Sequence, residues 1–182
     1  MSRLFAALGM LVLCACSSKY TSMPDGSKPV LYPASTVLTW PMVDGAHQAP
    51  SGRARIWIDE SARLESGVQV ADGVKIGAKV FLDEDTILMP NVTVGEESKI
   101  GDDVIVEANV KIGSGVAVGG DAKIGAGTIV EDGALIGGWA KVGKRVTIGS
   151  GAKIGAGAMI DDGATIAKSQ TVPQGARIWA SK

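Results

Sequence analysis

An aliphatic residue recurs at every sixth position from Ile58 to Ile178 without a break. A second, usually smaller residue lies two positions before each of them. Side chains two residues apart share one face of a β-strand, whereas a helix would need a spacing near 3.6. Each hexad therefore predicts a short strand with two side chains pointing inward. The aliphatic series is Ile58, Leu64, Val70, Ile76, Leu82, Leu88, Val94, Ile100, Val106, Ile112, Val118, Ile124, Val130, Ile136, Val142, Ile148, Ile154, Ile160, Ile166, Val172 and Ile178.

A turn residue follows each predicted strand. Of the 20 positions that lie three residues after an aliphatic of the series, from Ser61 to Gly175, nine are glycine, three aspartate and two asparagine. These residues tolerate left-handed backbone, which a sharp corner requires. A strand and a turn at a fixed short period predict a β-helix, an all-β fold. Its core of stacked aliphatics accounts for a chain with 25 glycines and only 4% aromatic residues.

The hexads at 94–99 (VGEESK) and 148–153 (IGSGAK) resemble the repeat of the hexapeptide-repeat family. The resemblance covers about residues 54–180 and implies a single-stranded, left-handed parallel β-helix of triangular section with three hexads per coil. On that basis the domain at 53–182 holds 21 hexads in about seven coils. Most named members of the family are trimeric acyltransferases for sugars, amino acids or antibiotics, and their catalytic base is typically a histidine.

Residues 1–15 are predicted to be a signal peptide. Arg3 gives a positive start, and Leu4–Ala15 is an apolar run too short to span a bilayer, which takes about 20 helical residues. The run ends in the sequence LCAC, which resembles the lipobox of bacterial lipoproteins. The resemblance implies lipidation of Cys16 and, because Ser17 follows it, anchoring at the outer membrane. An ordinary cleaved signal peptide is the alternative.

Residues 16–52 are predicted to be the lipidated cysteine and a proline-rich tether. They hold five of the seven prolines, which prevent helix and favour extended backbone. Two apolar segments, 30–32 and 37–40, are expected to pack on the domain and to cover its first coil. A wholly flexible stalk is the alternative.

Composition excludes several classes of site. A formal net charge of −1 argues against a nucleic-acid partner. Two cysteines cannot form a four-cysteine zinc site, and one histidine cannot supply the three metal ligands of the γ-class carbonic anhydrases, which share the family fold. The repeat contains no histidine and no insertion that could build a substrate pocket. We therefore expect no metal, no cofactor and no catalytic site within the coils.

The single histidine, His47, lies in the tether, outside the predicted coils. Its imidazole could serve as a general base, oriented by Asp44, which would make the protein a divergent acyltransferase. A histidine in a linker rich in proline and glycine is more often without a catalytic role. The position of His47 outside the repeat is the main reason to expect a non-catalytic protein.

The outward position before each inward aliphatic forms three columns of mixed composition. On one column Lys123 and Lys141 stack and could meet an anion, although solvation alone is the simpler explanation. Ile87 and Ile105 stack on the same column and could form a contact patch with a neighbouring subunit. Trp139 replaces a corner glycine and is either an exposed partner-binding residue or lies flat over its own flank.

The sequence thus predicts a non-catalytic, lipid-anchored cell-envelope protein that acts as a rigid structural or binding scaffold at the outer membrane. We expect it to contact the membrane through the lipid anchor. A homotrimer, and an envelope protein or a glycan as partner, stay open. The alternative functions are a divergent acyltransferase that uses His47 and an envelope glycan-binding module.

Overall fold

The computed structural model describes residues 31–38, 42–43, 46–48 and 55–180. These residues form one short helix, α1, at Ala34–Val37 and 24 short strands. The strands are β1 (Leu31–Pro33), β2 (Met42–Val43), β3 (Ala46–Gln48), β4 (Arg55–Ile58), β5 (Arg63–Leu64), β6 (Gln69–Ala71), β7 (Lys75–Ile76), β8 (Phe81–Leu82), β9 (Ile87–Leu88), β10 (Thr93–Val94), β11 (Lys99–Ile100), β12 (Ile105–Val106), β13 (Lys111–Ile112), β14 (Ala117–Val118), β15 (Lys123–Ile124), β16 (Ile129–Val130), β17 (Leu135–Ile136), β18 (Lys141–Val142), β19 (Thr147–Ile148), β20 (Lys153–Ile154), β21 (Met159–Ile160), β22 (Thr165–Ile166), β23 (Thr171–Val172) and β24 (Arg177–Ile178).

The strands form three sheets, which are the sides of a triangular prism. The eight-strand sheet has the order β1-β6-β9-β12-β15-β18-β21-β24, the nine-strand sheet β2-β3-β4-β7-β10-β13-β16-β19-β22, and the seven-strand sheet β5-β8-β11-β14-β17-β20-β23. Pairings among β4–β24 are parallel and join residues 18 apart, as Thr93 pairs with Lys111. Three consecutive strands therefore make one coil, and these 21 strands make seven. The predicted all-β helix of about seven triangular coils is confirmed.

The inward positions form the core that the period predicts. Eighteen of the 21 aliphatics are buried, and the other three, Ile58, Leu64 and Ile178, lie in the first and last coils and are partly buried. Because residues 18 apart stack in columns, each aliphatic packs against its equivalents in the coils before and after it. Each of these three aliphatics has an equivalent 18 residues away on one side only among the described coils, which contributes to its partial exposure.

Three of the smaller inward positions carry a buried hydroxyl instead of an apolar group. Each hydroxyl donates a hydrogen bond of 2.8–2.9 Å to the carbonyl of a glycine 15 residues later, so the core leaves none of them without a partner. The pairs are Thr86 with Gly101, Ser98 with Gly113, and Thr128 with Gly143.

Gln170 occupies a predicted inward position of the last coil, yet it is exposed. Its Oε1 accepts a hydrogen bond of 2.8 Å from the Ala167 N–H. An amide inside the aliphatic core would leave polar atoms without partners, which costs free energy. At the last described coil Gln170 keeps its amide accessible to water and satisfies a backbone N–H of its own coil.

The corners adopt left-handed backbone at 19 of the 20 predicted positions. Ten of these residues are not glycine, and they include Lys79 (φ 55°), Trp139 (φ 57°) and Arg145 (φ 53°). Ser61 is the exception. There the Asp59 carboxylate accepts hydrogen bonds from the Ser61 N–H (2.9 Å) and hydroxyl (2.6 Å), and this local turn replaces the left-handed one.

A second set of glycines lets successive coils approach closely. Gly137 directly follows an inward aliphatic, and a Cβ built on it would lie 2.5 Å from the backbone nitrogen of Ala156 in the next coil. The same construction on Gly95 and Gly119 also comes within 2.5 Å of backbone atoms. Packing between coils, and not a positive φ, requires glycine at these positions.

The segment before the coils packs on the first coil, as its apolar residues predict. β1 pairs antiparallel with β6, and Ala34 and Val37 of α1 are buried in the core. β2 and β3 form an antiparallel hairpin whose second strand pairs with β4. The expectation that prolines exclude helix is wrong at α1. Pro33 directly precedes this helix. Backbone N–H groups at the start of a helix have no partner within it, so the N–H that proline lacks is not needed there.

Candidate functional site

His47 is part of the folded structure. It lies in β3, in register with Met42 of β2 and Ile56 of β4, so its strand joins the nine-strand sheet at the first coil. The expectation that His47 lies outside the fold is therefore corrected. The physical reason is that the first coil ends in unpaired backbone groups, which the hairpin β2–β3 covers. Asp44 lies outside the described residues.

A cationic and aromatic group lies on β4 and β7, on the face of the sheet opposite to Ile56, the register partner of His47. The Arg55 guanidinium is 5.5 Å and the Lys75 ammonium 5.0 Å from the centroid of the Trp57 ring. Arg55 is in register with Gln48 of β3, and Lys75 with Trp57. Both cations are attracted by the face of the indole. The N-terminal end of the nine-strand sheet thus combines two positive charges, an indole and the strand of the single histidine.

Trp139 projects from its corner. The residue is 67% exposed, its φ is 57°, and its backbone N–H donates a hydrogen bond of 2.9 Å to the carbonyl of Gly120. Of the two alternatives, the exposure favours a projecting side chain over one that lies flat. A bulky residue with positive φ is uncommon, because its Cβ crowds the backbone.

Ile87 and Ile105 do not form an exposed patch. They are in register on β9 and β12, but Ile87 is only 8% exposed and Ile105 is half-buried. Met89, which follows β9, is also buried. Other parts of the chain therefore cover the outward side of this coil, which leaves little of Ile87 for a partner.

Lys123 and Lys141 stack in register, as predicted, but they have different surroundings. The Lys123 Nζ lies 2.9 Å from Oε1 of Glu107, whose side chain is 5% exposed and whose Oε2 accepts a hydrogen bond of 3.0 Å from the Ala126 N–H. Lys141 is exposed and has no ion pair with any residue that the structure describes. Lys141 is therefore the lysine that an external anion can reach without competing with a carboxylate.

A groove of about 630 Å³ runs along the C-terminal coils of the eight-strand sheet. Its lining includes Lys123, Lys141, Met159, Arg177 and Trp179. Trp179 is 64% exposed, and the Arg177 guanidinium lies 3.9 Å from the centroid of its ring. Trp179 is not among the residues that the sequence predicts to bind a partner. The available signal was an aromatic residue at a position that is glycine in most of the later coils.

A second groove, of about 590 Å³, follows the outward face of the seven-strand sheet. Its lining is mostly apolar and includes Phe81, Ala117 and Leu135, with Lys99 and Lys153 between them. Leu135 is 43% exposed. This face therefore offers apolar area with little charge.

Among the described residues, the shifted pKa values belong to hydrogen-bonded or partly buried side chains, and the hydrogen bonds from Ser61 lower the pKa of Asp59. The Lys79 Nζ is 2.9 Å from Oε1 of Glu97 in the next coil, and this hydrogen bond raises the pKa of Lys79 and lowers the pKa of Glu97. Burial, and to a smaller extent the charge of Asp72, raises the pKa of Tyr32. The Lys79–Glu97 pair connects the corners of two neighbouring coils.

Within the described ranges, no three His, Cys, Asp or Glu side chains are close enough to hold a metal ion. None of the helices described there is long and apolar enough to cross a membrane. Cys16, the predicted lipidation site, lies outside the described residues.

The family model named "Bacterial transferase hexapeptide (six repeats)" matches residues 127–162. The fold is the hexapeptide-repeat, left-handed β-helix. The match covers the fifth and sixth coils, and the same period continues on both sides of it. No curated protein has a matching sequence.

Solved structures share this fold at low sequence identity. A hexapeptide transferase family protein from Anaplasma phagocytophilum is 21% identical, with a TM-score of 0.65, over 70% of this chain and 76% of that one. GDP-perosamine N-acetyl transferase from Caulobacter crescentus, in complex with CoA and GDP-perosamine, is 20% identical, with a TM-score of 0.53, over 67% of this chain. The chain spans about half the length of that enzyme (51%).

Proposed function

We propose that this hexapeptide-repeat protein is a divergent acyltransferase that uses His47 as its general base. The observation that carries the proposal is the position of His47. It lies in a strand that extends the nine-strand sheet, next to the first coil. The main reason from sequence to expect no catalysis was a histidine outside the fold, and the pairing of β3 with β4 removes that reason, although the coils themselves contain no histidine and no insertion.

The comparisons support the same choice. The Caulobacter crescentus structure is that of an N-acetyl transferase with CoA and a nucleotide-linked amino sugar bound. At 20% sequence identity the likeness establishes a common fold alone, so the acetyl-transfer activity of that enzyme is a proposal for this chain. Its substrates would be an acyl thioester and a sugar that carries an amine or a hydroxyl group.

The outward face of β4 and β7 fits a phosphorylated donor. Arg55 of β4 and Lys75 of β7 bring two positive charges to this face, around the Trp57 indole. Phosphate groups form short, charge-assisted hydrogen bonds with such cations, and an indole offers a flat surface to a purine. An acyl-CoA carries both phosphates and a purine.

The proposed reaction is a direct transfer. The His47 imidazole takes a proton from the acceptor amine or hydroxyl while that group attacks the carbonyl carbon of the thioester. The C–S bond breaks, the acyl group becomes an amide or ester of the acceptor, and CoA leaves as a thiol after taking up a proton. Asp44, three residues before His47, is the proposed orienting carboxylate.

The test is product formation by the full chain and by His47→Ala. The chain is incubated with acetyl-CoA and a panel of amino sugars and their nucleotide conjugates, and acetylated product is measured by mass spectrometry. General-base catalysis contributes about 100- to 10,000-fold, so we expect His47→Ala to lose at least 100-fold in rate. Lys153→Met, on the seven-strand sheet, is the control and should keep the wild-type rate.

Two results would contradict the proposal. One is no product from the wild-type chain with any acyl-CoA and sugar of the panel. The other is wild-type activity in His47→Ala. Light scattering on the same samples tests the homotrimer that the family resemblance implies.

A lipid-anchored scaffold is the second candidate function. The observation that favours it is the regular prism, whose parallel pairing continues through seven coils between residues 55 and 180 without an insertion. Such a body can hold partners at fixed spacings along its faces. The anchor at the outer membrane is tested separately. We expect Cys16→Ser to abolish labelling by a radioactive fatty acid in bacteria, whereas Cys14→Ser should keep it.

A further inference from the structure

The two halves of the prism carry opposite net charge. Residues 55–108, in the first three coils, contain five basic and twelve acidic residues. Residues 109–180, in the last four coils, contain eight basic and five acidic residues. Cationic ligands are attracted to the first half and anionic ligands to the second, at distances over which the ions of the solvent do not screen the charges. An anionic ligand is therefore directed toward the C-terminal coils, where the groove of the eight-strand sheet lies.

Trp179 gives this groove a fixed aromatic surface. Arg177 covers the indole at 3.9 Å, and the same guanidinium is held by Oδ1 of Asp161 through contacts of 3.0 and 3.1 Å. Two partners restrain the arginine, and the arginine in turn restrains the indole. The ring is nevertheless 64% exposed. The C–H face of a sugar ring is apolar and flat, and it packs on such a surface through dispersion contacts.

Lys141 is the cation in this groove that is open to a ligand. Lys123 is paired with the buried Glu107, and Arg177 is paired with Asp161. Lys141 has no ion pair among the described residues. The register runs from Lys141 to Met159 to Arg177 on three neighbouring strands, so Lys141 and Arg177 are about 10 Å apart along the prism. A short oligosaccharide spans this separation.

We propose that this groove binds an acidic oligosaccharide, with one sugar ring on Trp179 and a carboxylate of a neighbouring sugar at Lys141. A volume of about 630 Å³ lies within the usual range of ligand sites, about 300 to 1,000 Å³. Asp161 and Asp162 line the same groove, and their carboxylates accept hydrogen bonds from sugar hydroxyls. The site is independent of acyl transfer, because it lies at the opposite end of the prism from His47.

The test is titration calorimetry of the full chain with tetragalacturonate and with neutral maltotetraose. We expect tetragalacturonate to bind at least tenfold more tightly. Trp179→Ala should weaken tetragalacturonate binding at least tenfold, and Lys141→Met should remove the preference for the acidic sugar. The matched controls are Trp139→Ala, which changes an exposed tryptophan outside the lining of the groove, and Lys153→Met. Both should bind as the wild type does.

Each of three results would overturn the proposal. The first is that the wild type does not bind tetragalacturonate at millimolar concentration. The second is that Trp179→Ala binds it as tightly as the wild type does. The third is that Trp139→Ala weakens binding as much as Trp179→Ala does. Tripolyphosphate is titrated as well, and equal affinity for it would show charge attraction without a sugar site. His47→Ala should keep full saccharide binding whatever its effect on acyl transfer, which separates the two proposals.

Discussion

Replacing Gly137 by alanine tests the close packing of successive coils. The backbone of Gly137 is tied to the next coil, because its N–H donates a hydrogen bond of 2.8 Å to the carbonyl of Ile154. A Cβ at this position would lie 2.5 Å from the nitrogen and 2.7 Å from the Cα of Ala156, and 2.8 Å from the carbonyl carbon of Gly155. All three are backbone atoms of a paired coil, so no side chain can turn away to relieve the overlap.

Two effects of opposite sign act on Gly137→Ala. Alanine restricts the unfolded chain, and where the native backbone accepts it this stabilises a protein by about 0.4–1 kcal/mol. Gly137 is not among the glycines with positive φ, so the backbone conformation alone would allow that gain. Inserting a methylene-sized group into a well-packed interior costs about 1–3 kcal/mol. Relief of three contacts below 3 Å belongs at the upper end of that range, so we expect a net loss of about 2 kcal/mol.

The assay is urea denaturation of the full chain, followed by far-ultraviolet circular dichroism. With a denaturant slope of about 2 kcal/mol per molar, the expected loss lowers the midpoint by about 1 M. Ala167→Gly is the matched control, because Ala167 occupies the same position of the hexad in the last coil, where no described coil follows. There the exchange removes only the entropic benefit of alanine, and we expect a loss of about 0.4–1 kcal/mol.

The sign of the change decides between the two effects. If Gly137→Ala raises the midpoint, chain entropy outweighs packing, and the coils are not as close as the structure places them. Gly119→Ala, whose Cβ would lie 2.5 Å from the nitrogen of Gly138, must then also be stabilising. A decrease in both variants, together with the small decrease in Ala167→Gly, assigns the cost to contact between coils.

Three further changes test the core and the ion pairs. Val106→Asp should prevent folding, because Val106 is completely buried and the carboxylate would lack a partner; native circular dichroism in this variant would show that the inward assignment is wrong. Lys123→Met should cost about 1–3 kcal/mol in urea, because it leaves the buried Glu107 without its cation, and adding Glu107→Gln should recover part of the loss; no recovery would mean that the pair is not the cause. The Lys79–Glu97 pair should stabilise the fold above the lowered pKa of Glu97 and lose that contribution as pH falls through it; an unchanged Glu97 pKa by NMR in Lys79→Met would refute the assignment.

The coils could be predicted from the sequence because one rule repeats 21 times. Positions such as Val106 and Ile148 face inward wherever the phase is kept, and the structure buries both completely. The corners follow from the same phase, and even Trp139 and Arg145 adopt the left-handed backbone that it requires. If the predicted phase is uncertain at one hexad, the neighbouring coils fix it, because residues 18 apart must pair in register.

The N-terminal segment could not be predicted in the same way. No repeat sets the phase of β1, β2 and β3, and their antiparallel pairing arises because the first coil presents unpaired strands. The placement of His47 in the nine-strand sheet depends on this pairing. The proposal of catalysis depends on it as well, since a proline-rich composition by itself indicates only a tether.

An end effect also bears on the side chains of the last coil. Where glycine directly follows an inward aliphatic within the stack, as at Gly137, a Cβ would lie close to backbone atoms about 19 residues later, in this case those of Ala156. Other such positions carry side chains although a coil follows them, among them Met89, Glu107 and Glu131. No described coil follows Trp179, so contact with a next coil sets no limit on its indole. Trp179 lines the groove of the proposed saccharide site, and His47 lies in a strand that pairs with the first coil, so both proposed sites involve an end of the described prism.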